Sequence, residues 1–241
     1  MGCAWEVIGG QDGEFAAYVA APASNAHGAA VVLQEMFGVN PFMRQVSDAL
    51  AAEGYWAACP DLYWRMNPGV ELSDGSDAEI ERGLALLGAL DREAALRDVA
   101  DTCRYLRTRI GETGKVAAIG FCLGGLLAYL AVARGLVDCG VSYYGSDIHG
   151  YLDLRDSIAR PLLLHVPDRD RTAPGDAAAK IVGAFEGHRY VNVHVYQGLD
   201  HAFARIGTKY FSYVPDAAQL ANRRTSEFLR AQLRECKADV L

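Results

Sequence analysis

The sequence predicts an α/β fold in which a mostly parallel central sheet is covered by helices on both faces. Short apolar runs alternate with longer amphipathic stretches along the chain, which is the order of strands and crossover helices in a parallel sheet. Several of the short runs are almost entirely apolar, as in strands that are buried on both faces. No internal repeat, low-complexity tract or linker interrupts this pattern, so residues 1–241 are expected to form a single domain.

The apolar runs and the amphipathic stretches define the predicted elements in chain order. The predicted strands are Phe15–Ala20, Ala29–Leu33, Tyr55–Cys59, Val116–Gly120, Val141–Tyr144, Leu162–Val166 and Val191–Tyr196. The predicted helices are Pro41–Glu53, Asp91–Arg109, Leu123–Ala133, Gly175–Phe185 and Asp216–Glu235. Proline suits the first turn of the helix at Pro41, and the last helix carries apolar residues at helical spacing. Pro68–Ser76 contains two glycines and few apolar residues, so it is predicted to be a surface loop near the active face.

Composition and charge exclude several classes of protein. The 23 basic and 30 acidic residues give a net charge of −7, which argues against a general nucleic-acid binder. No run of about 18 apolar residues predicts a membrane span, and the first ten residues do not resemble a signal peptide. The six cysteines lie far apart without CxxC spacing, so neither a disulfide framework nor a zinc site is expected. We therefore expect a cytoplasmic protein, a monomer without cofactor or metal.

The segment around Cys122 predicts a nucleophile. An apolar strand runs into Gly120-Phe121-Cys122-Leu123-Gly124, and an apolar helix follows. This is the pattern of a nucleophile elbow, with cysteine in place of serine. The turn would put Cys122 at a helix N-terminus, which favours the thiolate, and would make the N–H of Leu123 an oxyanion donor. The alternative is a buried structural cysteine in a glycine-rich turn.

A nucleophilic cysteine needs a base, and the base needs an orienting acid. In this fold the acid follows a later strand and the histidine follows the last one. His201 follows the last predicted strand, and Asp168 and Asp170 follow the strand before it. Either aspartate could instead be a solvated loop charge paired with a neighbouring arginine. The remaining histidines are expected to be packed or solvated, namely His165 and His194 in strands and His27, His149 and His188 in loops.

Five motifs in this order resemble the dienelactone hydrolase (carboxymethylenebutenolidase) family over almost the whole chain. They are Gln34–Asn40, Pro60–Tyr63, Gly120–Gly125, Tyr143–Gly145 and His201–Arg205. The resemblance implies an α/β-hydrolase fold with a sheet of about eight strands and a Cys-Asp-His triad. It also implies a small-molecule lactone or ester substrate that carries a carboxylate.

The resemblance gives several residues a role. Cys122 matches the nucleophile and His201 the base, and Pro174 points to Asp170 as the acid because the family's acid precedes a proline by four residues. The glycine that the family usually has before this acid is absent here. Glu35 matches a glutamate that hydrogen-bonds the resting thiol, and the N–H of Met36 matches the second oxyanion donor.

The same resemblance is weaker in the predicted substrate pocket. Arg205 matches an arginine that binds the substrate carboxylate. The position of a second arginine is taken by Ile80, although Arg82 lies two residues further on and could serve, and an expected aromatic residue is replaced by Leu87. Phe37 and Tyr144 either line the pocket or belong to the core.

The activity implied is the opening of dienelactone to maleylacetate through a thioester on Cys122, in the degradation of chlorocatechols and other aromatic compounds. One alternative is a carboxylesterase, thioesterase or other lactonase with the same triad. A second is a non-catalytic, redox-sensing protein in which Cys122 is a reversible oxidation site.

Overall fold

In the computed structural model, which describes residues 2–233, the apolar runs form strands of one eight-stranded sheet. The strands are β1 (Gly2–Gly10), β2 (Gly13–Ala21), β3 (Ala29–Leu33), β4 (Trp56–Pro60), β5 (Val116–Phe121), β6 (Cys139–Tyr143), β7 (Leu162–Pro167) and β8 (Val191–Tyr196). The helices are α1 (Pro41–Ala52), α2 (Asp77–Ala89), α3 (Arg92–Ile110), α4 (Leu123–Ala133), α5 (Ala177–Phe185) and α6 (Pro215–Leu233). Two short 3₁₀ helices lie at Ile148–Gly150 and Leu152–Ser157.

The strand order across the sheet is β1-β2-β4-β3-β5-β6-β7-β8. Strand β2 runs antiparallel to both β1 and β4, and the other pairings are parallel. Strand β5 is central, with Gly120 opposite Leu33 of β3 and Phe121 opposite Tyr143 of β6. Since parallel strands end at the same edge, the segments that follow β3, β5, β6, β7 and β8 meet there.

The core has two layers, one on each face of the sheet. Helices α3, α4 and α5 cover one face, and α1 and α6 cover the other. Residues 123–132 of α4 are all buried, which explains why this helix is apolar all round. In α6, Ala221 and Leu229 are buried, and Ala217, Leu220 and Phe228 pack against the same layer. The predicted α/β fold with helices on both faces is thus confirmed.

Two elements were absent from the sequence prediction. Strand β1 lies at the sheet edge with mostly exposed side chains, so it lacks the apolar pattern of the inner strands. It forms a hairpin with β2 through the two-residue turn Gln11-Asp12, and Gly13 at the start of β2 has a φ of 141°. Helix α2 begins at the N-cap Ser76, which accepts a hydrogen bond from Glu79 N. The Ser-x-x-Glu spacing is a capping box that marks this start.

Several predicted boundaries shift by one or two residues. Tyr144 lies just beyond β6, and α5 begins at Ala177 rather than Gly175. The predicted end of the last helix, Glu235, lies outside the described residues. The loop Pro68–Ser76 is less superficial than predicted, because Val70, Leu72 and Asp74 are buried. Within residues 2–233, no helix has the length and apolar character required to cross a bilayer.

Candidate active site

Cys122 lies in a sharp turn between β5 and α4. Its φ of 54° and ψ of −115° fall outside the conformations common for non-glycine residues. The turn is close-packed: a Cβ at Gly120 would lie 1.8 Å from Gly124 O, and one at Gly124 would lie 2.1 Å from Leu33 O. Glycine is therefore required at both positions, as the elbow pattern predicts. Leu123 is the first residue of α4, so its N–H has no acceptor within the helix.

The structure places Asp170, and not Asp168, against His201. Asp170 Oδ2 lies 2.7 Å from His201 Nδ1, whereas Asp168 accepts a hydrogen bond from Gly198 N. Thr172 donates to the other oxygen of Asp170 through its N–H and its hydroxyl. Burial alone would raise the pKa of Asp170, but the bonds from His201 and Thr172 hold that pKa below its ordinary value. Asp170 is thus held as a carboxylate that orients the ring.

His201 is buried and presents its other ring nitrogen, Nε2, without a hydrogen-bond partner in the part of the chain that the structure describes. Burial by itself would lower the pKa of His201, yet the nearby Cys122 sulfur and the Asp170 carboxylate raise it to about 10. Cys122 and His201 line the same cavity. The base is poised beside the nucleophile.

The resting thiol has a partner that the sequence did not suggest. Cys122 Sγ lies 3.2 Å from Ser146 Oγ, and either atom can donate. Ser146 N also donates to Cys122 O at 3.1 Å. The expected hydrogen bond from the thiol to Glu35 is absent among the described residues, and the Glu35 carboxylate pairs with Arg205 instead.

Arg205 and Glu35 form a buried charged pair beside the nucleophile. Glu35 Oε1 lies 2.7 Å from Arg205 Nε, without the N–H···O alignment of a hydrogen bond. Arg205 Nη1 lies 2.9 Å from Asp74 Oδ2, and the guanidinium carbon lies 4.8 Å from the centre of the Phe37 ring. Burial raises the pKa of Glu35, although Arg205 and His201 oppose that rise. The guanidinium thus has two carboxylate partners in the resting protein.

These groups open into a cavity of about 330 Å³. The cavity is lined by the polar residues Cys122, His201, Glu35 and Arg205. Its apolar lining is formed by Met36, Phe37, Ile80, Leu84, Leu87 and Phe211. A second cavity of about 430 Å³ lies next to it along the 168–178 segment, but Cys122 and His201 do not line that one. The smaller cavity is therefore the candidate substrate site.

Two predicted pocket residues lie elsewhere. Arg82 is exposed on α2 and is not among the residues that line the catalytic cavity, whereas Ile80 and Leu87 of the same helix are. Helix α2 presents aliphatic residues to the cavity in this arrangement, and the role of Arg82 in substrate binding stays a prediction. Tyr144 is buried, with a φ of 39° and its ring 5.0 Å from that of His201. The Tyr144 ring packs against His201 and does not line the catalytic cavity, whereas Phe37 does.

Sequence reasoning missed Asp74, Ser146 and Thr172 at this site. The signal for Thr172 was its place two residues after Asp170, where a hydroxyl can cap the carboxylate. Asp74 and Ser146 gave no local signal, since each meets its partner only through the folded chain.

Comparisons with known proteins identify the same family by two routes, a family model and individual relatives. The model of the dienelactone hydrolase family matches residues 15–233. The carboxymethylenebutenolidase of Pseudomonas putida is 39% identical over 215 residues, which cover 89% of this chain and 90% of the relative. Carboxymethylenebutenolidase 1 of Cupriavidus pinatubonensis is 34% identical over 224 residues, which cover 93% and 94% of the two chains.

Solved structures share the fold. A Klebsiella pneumoniae protein assigned as a dienelactone hydrolase matches with a TM-score of 0.81 at 23% identity, over 95% of this chain and 98% of that one. A dienelactone hydrolase-like promiscuous phosphotriesterase from metagenomic libraries matches with a TM-score of 0.75 at 18% identity, over 98% and 100%. At these identities the likeness shows the fold alone.

Proposed function

Because the chain belongs to the dienelactone hydrolase family and is a hydrolase of carboxylic esters, we propose that it opens enol lactones through a covalent thioester on Cys122. The observation that carries this proposal is the arrangement of Cys122, His201 and Asp170 around one cavity. His201 Nδ1 is bound to Asp170 at 2.7 Å, and its buried Nε2 is unpartnered among the described residues and close to the thiol.

The first half of the reaction forms the thioester. His201 Nε2 takes the thiol proton, and the Cys122 sulfur attacks the lactone carbonyl. The carbonyl oxygen gains the negative charge and accepts hydrogen bonds from the N–H groups of Met36 and Leu123. Loss of one such donor typically lowers the rate by about 10²–10³-fold. The tetrahedral intermediate then breaks its carbon–oxygen bond to the ring, and the leaving oxygen departs as an enolate. The enolate takes up the proton held by His201 Nε2, which leaves His201 neutral for the second half.

The second half regenerates the enzyme. A water molecule gives a proton to His201 and attacks the thioester carbonyl, so that the acid product leaves and Cys122 recovers its proton. A thiolate is itself a good leaving group, so attack on an ordinary alkyl ester tends to reverse. The enolate of an enol lactone is stabilised, which drives the first step forward. Cysteine as nucleophile therefore favours activated esters and enol lactones.

Two substrate candidates follow. The family points to dienelactone, opened to maleylacetate in the breakdown of aromatic compounds, with the substrate carboxylate on Arg205. The second candidate is a neutral activated ester. It is favoured by the aliphatic wall of Ile80, Leu84 and Leu87 and by the two carboxylates that already contact Arg205.

The test is hydrolysis of dienelactone and of 4-nitrophenyl acetate by the wild type, by Cys122→Ala and by Cys3→Ala. Cys3 is an exposed thiol on β1, so its variant controls for cysteine loss away from the site. We expect turnover that Cys122→Ala abolishes and Cys3→Ala retains. Turnover of the neutral ester alone, with the same dependence on Cys122, selects the second candidate. Hydrolysis of either substrate that survives in Cys122→Ala, or no hydrolysis at all, overturns the thioester mechanism.

A further inference from the structure

Arg205 carries a positive charge into the cavity, but that charge is matched before any substrate arrives. Its side chain is 6% exposed and contacts Glu35 at 2.7 Å and Asp74 at 2.9 Å. Among residues 2–233 that line the cavity, no other lysine or arginine is present. A substrate carboxylate would therefore meet a guanidinium whose positive charge is already matched by two carboxylates.

Asp74 is the more firmly held of the two carboxylates. Its Oδ2 accepts hydrogen bonds from the Thr208 hydroxyl at 2.6 Å, from Lys209 N at 2.8 Å and from Tyr210 N at 2.9 Å. Burial alone would raise the pKa of Asp74, but these donors and Arg205 hold it well below its ordinary value. Displacing Asp74 from Arg205 would disturb the 208–210 turn as well.

The wall contributed by α2 has no group that would bind an anion. Ile80, Leu84 and Leu87 are the residues of this helix that line the cavity. The remaining charged residue at the cavity is Asp147, which is acidic, half exposed and paired with Arg92 at 3.2 Å. The surroundings of Arg205 therefore favour an uncharged, aliphatic substituent on the bound ester.

We propose that Asp74 determines substrate specificity by neutralising Arg205, which directs this hydrolase to activated esters or enol lactones without a carboxylate on the arm along α2. The inference rests on the proposed thioester chemistry and names its substrate class. It predicts that removal of the Asp74 charge increases the preference of the enzyme for anionic substrates, which Arg205 can then bind.

A pair of substrates of nearly equal shape tests this. Mono-4-nitrophenyl adipate carries a terminal carboxylate, and 4-nitrophenyl adipamate carries a terminal amide in its place. The readout is the ratio of kcat/KM for the anion to kcat/KM for the amide, which cancels any partial loss of folded protein. For the wild type we expect this ratio to be below about 0.1, since an unmatched anion would enter a site whose cation is already paired.

The variant is Asp74→Asn, which keeps an oxygen acceptor for Thr208, Lys209 and Tyr210 while removing the charge. The ratio is expected to rise at least about tenfold, because Arg205 then keeps Glu35 as its one carboxylate partner and the site loses one negative charge that repels the anionic substrate. Asp147→Asn is the matched control, because it removes an acidic residue at the same cavity that contacts Arg92 and not Arg205. The ratio should change by less than about threefold in this variant, because solvent and salt screen the charge of a half-exposed residue. If Asp74→Asn does not fold, Asp74→Ser keeps a hydroxyl acceptor and serves the same test.

Two results overturn the inference while leaving the thioester mechanism intact. One is a wild type that prefers the adipate to the adipamate. The other is an Asp74 variant whose ratio changes no more than that of Asp147→Asn. Hydrolysis of both esters that persists in Cys122→Ala would instead overturn the mechanism on which the inference rests.

Discussion

The two ring nitrogens of His201 have different neighbours, and the difference assigns their roles. Asp170 accepts from Nδ1, so that nitrogen keeps its proton and Nε2 is the nitrogen that can exchange a proton with the thiol. The buried Tyr144 ring and the partly buried Phe211 ring pack on the imidazole, with ring centres at 5.0 Å and 5.2 Å. The ring is therefore held in one orientation by packing and in one tautomer by Asp170.

Replacement of Asp170 by asparagine should remove the negative charge beside His201 and the acceptor that fixes the tautomer of its ring. We expect kcat/KM to fall by about 10³–10⁴-fold, as in related triads whose acid is replaced by an amide. We also expect the pKa of His201 to fall from its value of about 10, because the carboxylate is one of the groups that raise it. Steady-state kinetics measure the first, and an NMR titration of the imidazole measures the second.

Asp168→Asn is the matched control for that variant. Asp168 lies two residues away on the same loop and binds Gly198 N rather than the ring. The Asp168→Asn substitution should lower kcat/KM by less than about fivefold, because Asp168 is not one of the reacting groups. Equal losses in the two variants would show that the loop as a whole, and not Asp170, supports the base.

At the scale of elements, the strand-to-helix turn around Cys122 depends on close approach of three backbones. Gly120 contacts the start of α4, and Gly124 contacts the end of β3 at Leu33. These contacts hold the N-terminus of α4 at the sheet edge, with Leu123 N–H beside the nucleophile. The oxyanion geometry is thus a consequence of how tightly α4 packs on β3 and β5.

Gly124→Ala tests this dependence. The added methyl would lie 2.1 Å from Leu33 O, which is backbone and cannot rotate away. We expect the free energy of unfolding to fall by at least about 2 kcal/mol, measured by urea denaturation.

Gly88→Ala in α2 is its control, since nothing lies within 4 Å of the added methyl. There the higher helix propensity of alanine should raise stability by about 0.5–1 kcal/mol. A Gly124→Ala protein as stable as the wild type would contradict the close packing of the turn.

Across the whole molecule, a buried polar network joins the sheet to its last helix. Thr225 Oγ1 of α6 lies 2.7 Å from Tyr143 OH of β6 and 3.0 Å from His165 Nε2 of β7. His165 Nδ1 bonds to Tyr196 OH of β8 at 2.8 Å. Burial lowers the pKa of His165 well below 6.5, so these groups meet as neutral partners. Of the two alternatives that the sequence left open for this strand histidine, packed or solvated, the structure shows the packed one.

Thr225→Val should disrupt this network at almost constant volume. His165 Nε2 would lose its partner, at a cost of about 1–3 kcal/mol for a buried polar group left unsatisfied. Thr225→Ser keeps the hydroxyl and should cost clearly less. Thermal and urea unfolding of the two variants distinguish loss of the hydrogen bond from loss of a methyl group, and an equal cost in both would contradict the network.

The expected monomer stays a prediction for the whole molecule. Light scattering in solution checks it by comparing the measured mass with that of one chain.

Much of this protein could be read from its sequence because the signals are local. Alternating apolar runs define the strands and most helices, since burial on both sheet faces demands apolar residues in sequence. The glycines around Cys122 mark the turn, because Gly120 and Gly124 approach each other within it, although Gly124 also contacts Leu33 of the distant β3. The order of Cys122, Asp170 and His201 follows from strands that end at one edge.

Tertiary structure decided the rest, because the deciding contacts join distant segments. Edge strand β1 is defined by its pairing with β2 and not by an apolar pattern of its own. Only the folded chain shows that Ile80 of α2, and not Arg82, lines the cavity. The same holds for the partners of Arg205 and Cys122. Asp74 and Ser146 lie far from them in sequence, and neither a charge nor a hydroxyl in a loop reveals its partner until the chain has folded around it.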